Sequence, residues 1–171
     1  DIVSVDCGTL LDGFNGDSCY TFCVGEVSED VKSLLKTTKE SLYLGIEKAI
    51  PGHRIGDISY AIQKHCEDNG YGVVRELVGH GIGREMHEDP MVPNYGSRGK
   101  GMLIRNGLCI AIEPMITMGK HDIYLDEDGW TVVARDAMPA AHFEHTIAIH
   151  NGAPDILSSF EEVERIEGPL Y

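Results

Sequence analysis

The sequence predicts an α/β (α+β) domain in which a sheet carries a pair of helices on one face. Three observations carry that reading. Residues 2–25 hold two β-branched and aromatic runs around Asp12-Gly13, the dipeptide suited to a tight hairpin. Residues 28–70 hold two stretches of helical apolar spacing separated by Pro51-Gly52. Further short apolar runs, each bounded by turn residues, follow at 71–77, 108–114, 130–134 and 142–150.

In the hairpin, placing Asp12 and Gly13 in the turn sets Leu11 against Phe14, Gly8 against Asp17 and Asp6 against Cys19. Asp6 and Asp17 then share a sheet face as diagonal neighbours, about 7–8 Å apart at the backbone, so their carboxylates lean together without touching. Gly8 leaves room beside them. Such a pair requires a proton, a cation or open water. On the hairpin alone, a bound metal and a merely solvated face both remain open.

Ser28 is a suitable helix cap, with Glu29 and Asp30 in the first turn and Val31, Leu34, Leu35, Leu42 and Ile46 along one face. A second helix is predicted to start at Asp57 as its cap and to stop at Asn69-Gly70. The strand predicted at 71–77 empties into Gly79-His80-Gly81-Ile82-Gly83, read as a tight turn that presents His80. With Pro90 and Pro93, 87–96 reads as loop. Asp128-Gly129 turns the chain between later strands, and 158–166 reads as a short helix. No internal repeat or linker interrupts the chain, so 1–171 is expected to form one domain.

Asp and Glu number 28 against 14 Lys and Arg, which argues against nucleic acid or an anionic membrane as a partner. The five cysteines form no C-x-x-C pair, and free thiols in a reducing compartment are expected. Cys19 and Cys23 share a strand face as conceivable soft ligands, though small buried hydrophobes are the simpler reading. With no membrane-length apolar run and no signal peptide before the first strand, the expected location is cytoplasmic. The sequence opens at Asp1 directly into a strand, and a fragment is the expectation.

Glu113 and Glu144 lie in strands beside Ile110, Ile112, Ile147 and Ile149, where a lone charge needs a partner. With Asp6, Asp17 and His80 they make four carboxylates and one imidazole, a donor set whose charge matches two divalent cations. Oxygen-rich ligation suits Mn, Fe(II), Co or Zn over copper. Paired cations holding a water between them point to hydrolysis of a carbonyl substrate. A single-zinc protease is disfavoured because HFEH at 142–145 lacks the H-E-x-x-H spacing.

The segments VDCGTLLDGFNGD, GHGIGREMHEDP, IAIEPM and FEHT, in that order, resemble type I methionine aminopeptidases of the pita-bread fold. The resemblance implies a curved, antiparallel-rich sheet covered by helices, with the N-terminal portion missing. It further implies that Asp17 and Glu144 bridge two metals, that Asp6 completes one, and that His80 and Glu113 complete the other. Glu113 would also shuttle protons, and His87 would contact the scissile peptide and steady the tetrahedral intermediate. Trp130 and Met86 match positions near the methionine pocket, and Met86 is a departure from the usual phenylalanine. What the resemblance implies as function is removal of N-terminal methionine from nascent chains with a small second residue, by a cytoplasmic monomer associated with the ribosome. Because the front of the cleft has no match here, residues 1–171 are expected to keep metal binding yet hydrolyse peptides poorly. Two rivals are kept, an aminopeptidase P or prolidase type of enzyme and a non-catalytic binding module on the same fold.

Overall fold

The computed structural model describes residues 1–167. The first hairpin forms as its turn chemistry dictates, with Asp12 at φ 51° and Gly13 at φ 81°. It is divided into β1 (Ile2–Asp6), β2 (Thr9–Leu11), β3 (Phe14–Gly16) and β4 (Ser18–Cys23). The register sets Leu11 opposite Phe14 and Asp6 opposite Cys19, as predicted. The ladder lapses around Gly8 and Asp17, so Asp17 lies between strands rather than within one.

Helix α1 (Glu29–Ile46) is capped by the Ser28 hydroxyl, which accepts from Val31 N–H, with acidic residues at the positive end of the helix dipole. Helix α2 (Ile55–Asp68) starts earlier than predicted. Asp57 is not its cap; its carboxylate reaches back to accept the Arg54 N–H at 2.8 Å, closing the first turn from inside.

Four expectations fail beyond the helices. The strand predicted at 71–77 is only β5 (Gly72–Val73), because Arg75 and Glu76 face solvent. The glycine-rich segment is not a turn: β6 (Gly79–Gly81) is an inner strand of the main sheet. Its glycines serve close approach, since a Cβ on Gly81 would stand 2.2 Å from the Asp89 carbonyl oxygen. The predicted loop at 87–96 contains β7 (Glu88–Val92), an edge strand, where proline is tolerated. The run at 142–150 is cut at Phe143, which leaves β12 (Ala140–His142) and β13 (Glu144–His150).

The remaining elements are β8 (Cys109–Ile112), β9 (Met115–Thr117), β10 (Ile123–Leu125), β11 (Val132–Ala134), β14 (Ala153–Ile156) and α3 (Glu161–Glu167). The main sheet runs β1-β4-β13-β8-β6-β7, with β14 also paired to β13, and every pairing is antiparallel.

Alternation along these strands divides the sheet into two chemically different faces. Ile110, Ile112, Ile147 and Ile149 turn toward α1 and α2, whose Leu34, Leu35, Leu42, Ile58 and Ile62 are fully buried against them. Burying a side chain of this size contributes about 1.5–3 kcal/mol. Residues of the opposite parity, Glu144 on β13 and Glu113 just past β8, turn the other way. The helix layer thus holds the sheet rigid behind the site.

Candidate metal centre

Two strand pairings and a set of local hydrogen bonds bring the predicted donors together. Cys19 of β4 stands opposite Asp6 of β1 on one side and Glu144 of β13 on the other, so those three side chains share one face. Asp17 is pinned beside them, because its N–H donates to the Thr146 hydroxyl and its carbonyl accepts from that hydroxyl, both at 2.8 Å. His80 arrives on β6, with Nε2 3.5 Å from Glu113 Oε1 and 4.0 Å from Asp17 Oδ2. Asp17, His80 and Glu144 each offer an atom within 4.8 Å of the others.

Asp6 and Asp17 do more than lean together, as the hairpin alone had suggested. They come within hydrogen-bonding reach, and Glu144 reaches Asp6 in the same way. Burial, then Asp17, holds the Asp6 carboxyl above its ordinary range. Burial, with Asp6 and Asp17 nearby, pushes Glu113 up to about 8. For Glu144, burial and the three other carboxyls push it up to about 10, and its Oε1 lies buried with no hydrogen-bond partner. Protein alone leaves this cluster under-compensated, which a divalent cation would correct.

His80 fits the same need. Its Nδ1–H donates to the Gly81 carbonyl oxygen at 2.9 Å, which orients the ring with Nε2 toward the carboxylates. His87 follows β6 with its ring centroid 4.3 Å from that of His80, and it is exposed at the opening. Met86 occupies the room expected over Gly8: a Cβ there would meet the Met86 methyl at 2.5 Å, with Asp17 Oδ1 at 3.8 Å. Its thioether therefore borders the acidic cluster. Trp130 does not join them. It stands on the turn between β10 and β11, 86% exposed, with no hydrogen bond or ring contact to the cluster among the described residues.

One residue near the cluster escaped the sequence reading. His142 sits two residues before Glu144 and therefore on the same face, with Nε2 3.7 Å from Glu113 Oε2. Burial alone holds its imidazole down at about 4, so it is neutral. Strand alternation from Glu144 was the signal that could have found it. His145 points to the helix face, as alternation requires, and touches Ser158 and Tyr43.

A curved antiparallel sheet backed by helices, carrying buried carboxylates and an imidazole on its open face, defines a pita-bread fold with a metal-hydrolase type of site. The chain belongs to the metallopeptidase family M24, which it matches over residues 1–151. It is 52% identical over 161 residues to a methionine aminopeptidase of Clostridium acetobutylicum, covering 94% of this chain and 64% of that protein. The crystal structure of a methionine aminopeptidase from Thermotoga maritima superposes with a TM-score of 0.90 at 48% identity, covering 92% of this chain and 63% of the other. A prolidase from Pyrococcus furiosus shares the fold alone, with a TM-score of 0.75 at 24% identity. The chain therefore spans a little under two thirds of the length of these methionine aminopeptidases.

Proposed function

We propose that residues 1–171 carry the metal-binding part of an enzyme of methionine aminopeptidase type, whose reaction is hydrolysis of the first peptide bond of a chain that begins with methionine, and that these residues by themselves catalyse it slowly. The convergence of Asp6, Asp17, His80, Glu113 and Glu144 on one sheet face is the observation that carries this reading. Asp6, Asp17, His80, Glu113 and Glu144 would hold two divalent cations there. When bound, such ions polarise a carbonyl and make water nucleophilic near neutral pH.

The chain's own residues do the rest. Glu113, in the cluster 3.5 Å from His80, accepts a proton on a carboxylate oxygen and later returns it to the leaving amine. His87, exposed beside His80, donates from its ring to the oxygen of the scissile peptide as charge develops there. Met86 offers a soft apolar contact to the substrate thioether. Trp130 stands on its exposed turn, so a contact with the methionine side chain would require that turn to fold toward the site. A small second residue is expected in the substrate, nascent polypeptides are the expected source, and a monomer acting at the ribosome in the cytoplasm is the expected setting.

Trp130 is the chain's single tryptophan, so substrate can be followed directly. With metal loaded, a Met-Ala peptide is expected to change its fluorescence and to be cleaved faster than Xaa-Pro peptides. Preference for Xaa-Pro, or a fluorescence signal indifferent to the first residue, would overturn the assignment.

A further inference from the structure

The paired-cation reading leaves two neighbouring donors, Cys19 and His142, unused. Asp6, Cys19 and His142 each offer an atom within 4.8 Å of the other two. Their arrangement follows from sheet register. Cys19 lies directly across from Asp6, and His142 precedes Cys19's other neighbour, Glu144, by two residues.

Two features distinguish this group from ordinary packing. The first is Cys19, wholly buried yet bordered by carboxyl groups, whose thiol makes only a long 3.7 Å donation to the His142 carbonyl oxygen. The second is His142, whose backbone is clamped by the Thr21 hydroxyl: the carbonyl accepts from it at 2.6 Å and the N–H donates to it at 2.9 Å. The ring so fixed keeps Nε2 buried with no hydrogen-bond partner among the described residues. That nitrogen stands 3.7 Å from Glu113 Oε2, and the ring offers an atom within 4.8 Å of the Cys19 sulfur and an Asp6 oxygen, so the imidazole borders both donor sets with a polar atom that a cation would satisfy.

We propose that Asp6, Cys19 and His142 form a subsite for one thiophilic divalent cation, zinc or cadmium in class, beside the oxygen-rich centre. One carboxylate, one thiolate and one neutral imidazole balance the ion's charge and leave a fourth position for water. As the Cys19 sulfur binds the ion, its S–H bond breaks and the proton passes to solvent. Only the sharing of Asp6 rests on the paired-cation reading. Where both apply, the two sites fill at each other's expense, because each draws on that carboxylate.

Cobalt(II) titrated into the chain tests this, since a cobalt–thiolate bond adds a near-ultraviolet charge-transfer band that oxygen and nitrogen ligands do not give. The band is expected in the native chain, lost in Cys19→Ser and Cys19→Ala, and kept in Cys7→Ser. His142→Phe should weaken cobalt binding, read from that band, by about 10-fold or more. Circular dichroism checks that each variant is folded. Weak visible cobalt bands without the charge-transfer band, or a band that survives both Cys19 substitutions, would overturn the subsite. Asp17→Asn separates the two readings: it should keep the charge-transfer band while losing the bands of the oxygen-rich centre.

Discussion

Adjacent residues on β13 show two ways of burying a polar group. Glu144 and His145 are each 1% exposed, and desolvation moves both against their charged forms, Glu144 up to about 10 and His145 down to about 4. Their company differs. His145 packs its ring 3.8 Å from that of Phe160, with Ser158 Oγ at 3.1 Å from Nδ1 and Tyr43 at 3.3 Å from Nε2, so its polar atoms are satisfied as a neutral ring. Glu144 faces three other carboxyls and keeps one oxygen without a partner. One face of the strand is finished by protein atoms, whereas the other is complete only with cations.

The sharpest break between the faces comes from Asp17→Ala, which should lower divalent-cation affinity by more than about 100-fold, measured by isothermal titration. His145→Ala should instead cost about 2–4 kcal/mol in denaturant unfolding and leave cation affinity unchanged. Glu144→Gln reverses the pattern. It should stabilise the cation-free chain by about 1–2 kcal/mol, because folding no longer has to bind a proton at that position, while abolishing the gain in melting temperature on adding metal.

The same contrast predicts opposite pH limbs for the cation-free chain. Glu113 and Glu144 have folded values above their ordinary range, so the stability they contribute is present below about pH 4.5 and is lost as pH rises toward 8 and beyond. His145 has a lowered folded value, so its contribution is present above about pH 6.5 and is lost as pH falls toward 4. Thermal melts in chelator should therefore decline by about 5 °C or more from pH 5.5 to 8, and a divalent cation should flatten that limb only. Ser158→Ala is the smallest effect, about 1 kcal/mol, confined to the acid-sensitive face.

Much of this division was legible in the sequence. Asp12-Gly13 fixed the hairpin register, which set Asp6 across from Cys19, and the isoleucines around Glu113 and Glu144 marked both as charges in need of partners. The five donors were identifiable by residue type and by resemblance, while their convergence depends on strand order, which local pattern does not encode. Gly79 and Gly81 misled because glycine signals a turn and a close backbone approach alike, and only the position of β7 distinguishes them. His142 belongs to no motif, and its approach to Glu113 depends on how separate strands pair, with the break at Phe143 dividing β12 from β13.

The central claim, that the open face of β13 is built around paired cations, is tested most directly by metal stoichiometry. After dialysis against manganese(II), a cation that prefers oxygen ligands to thiolate, mass spectrometry of the native chain should find about two tightly held ions per molecule, and Asp17→Ala should retain neither tightly. A native chain that emerges metal-free, or that binds equally well without Asp17, would contradict it.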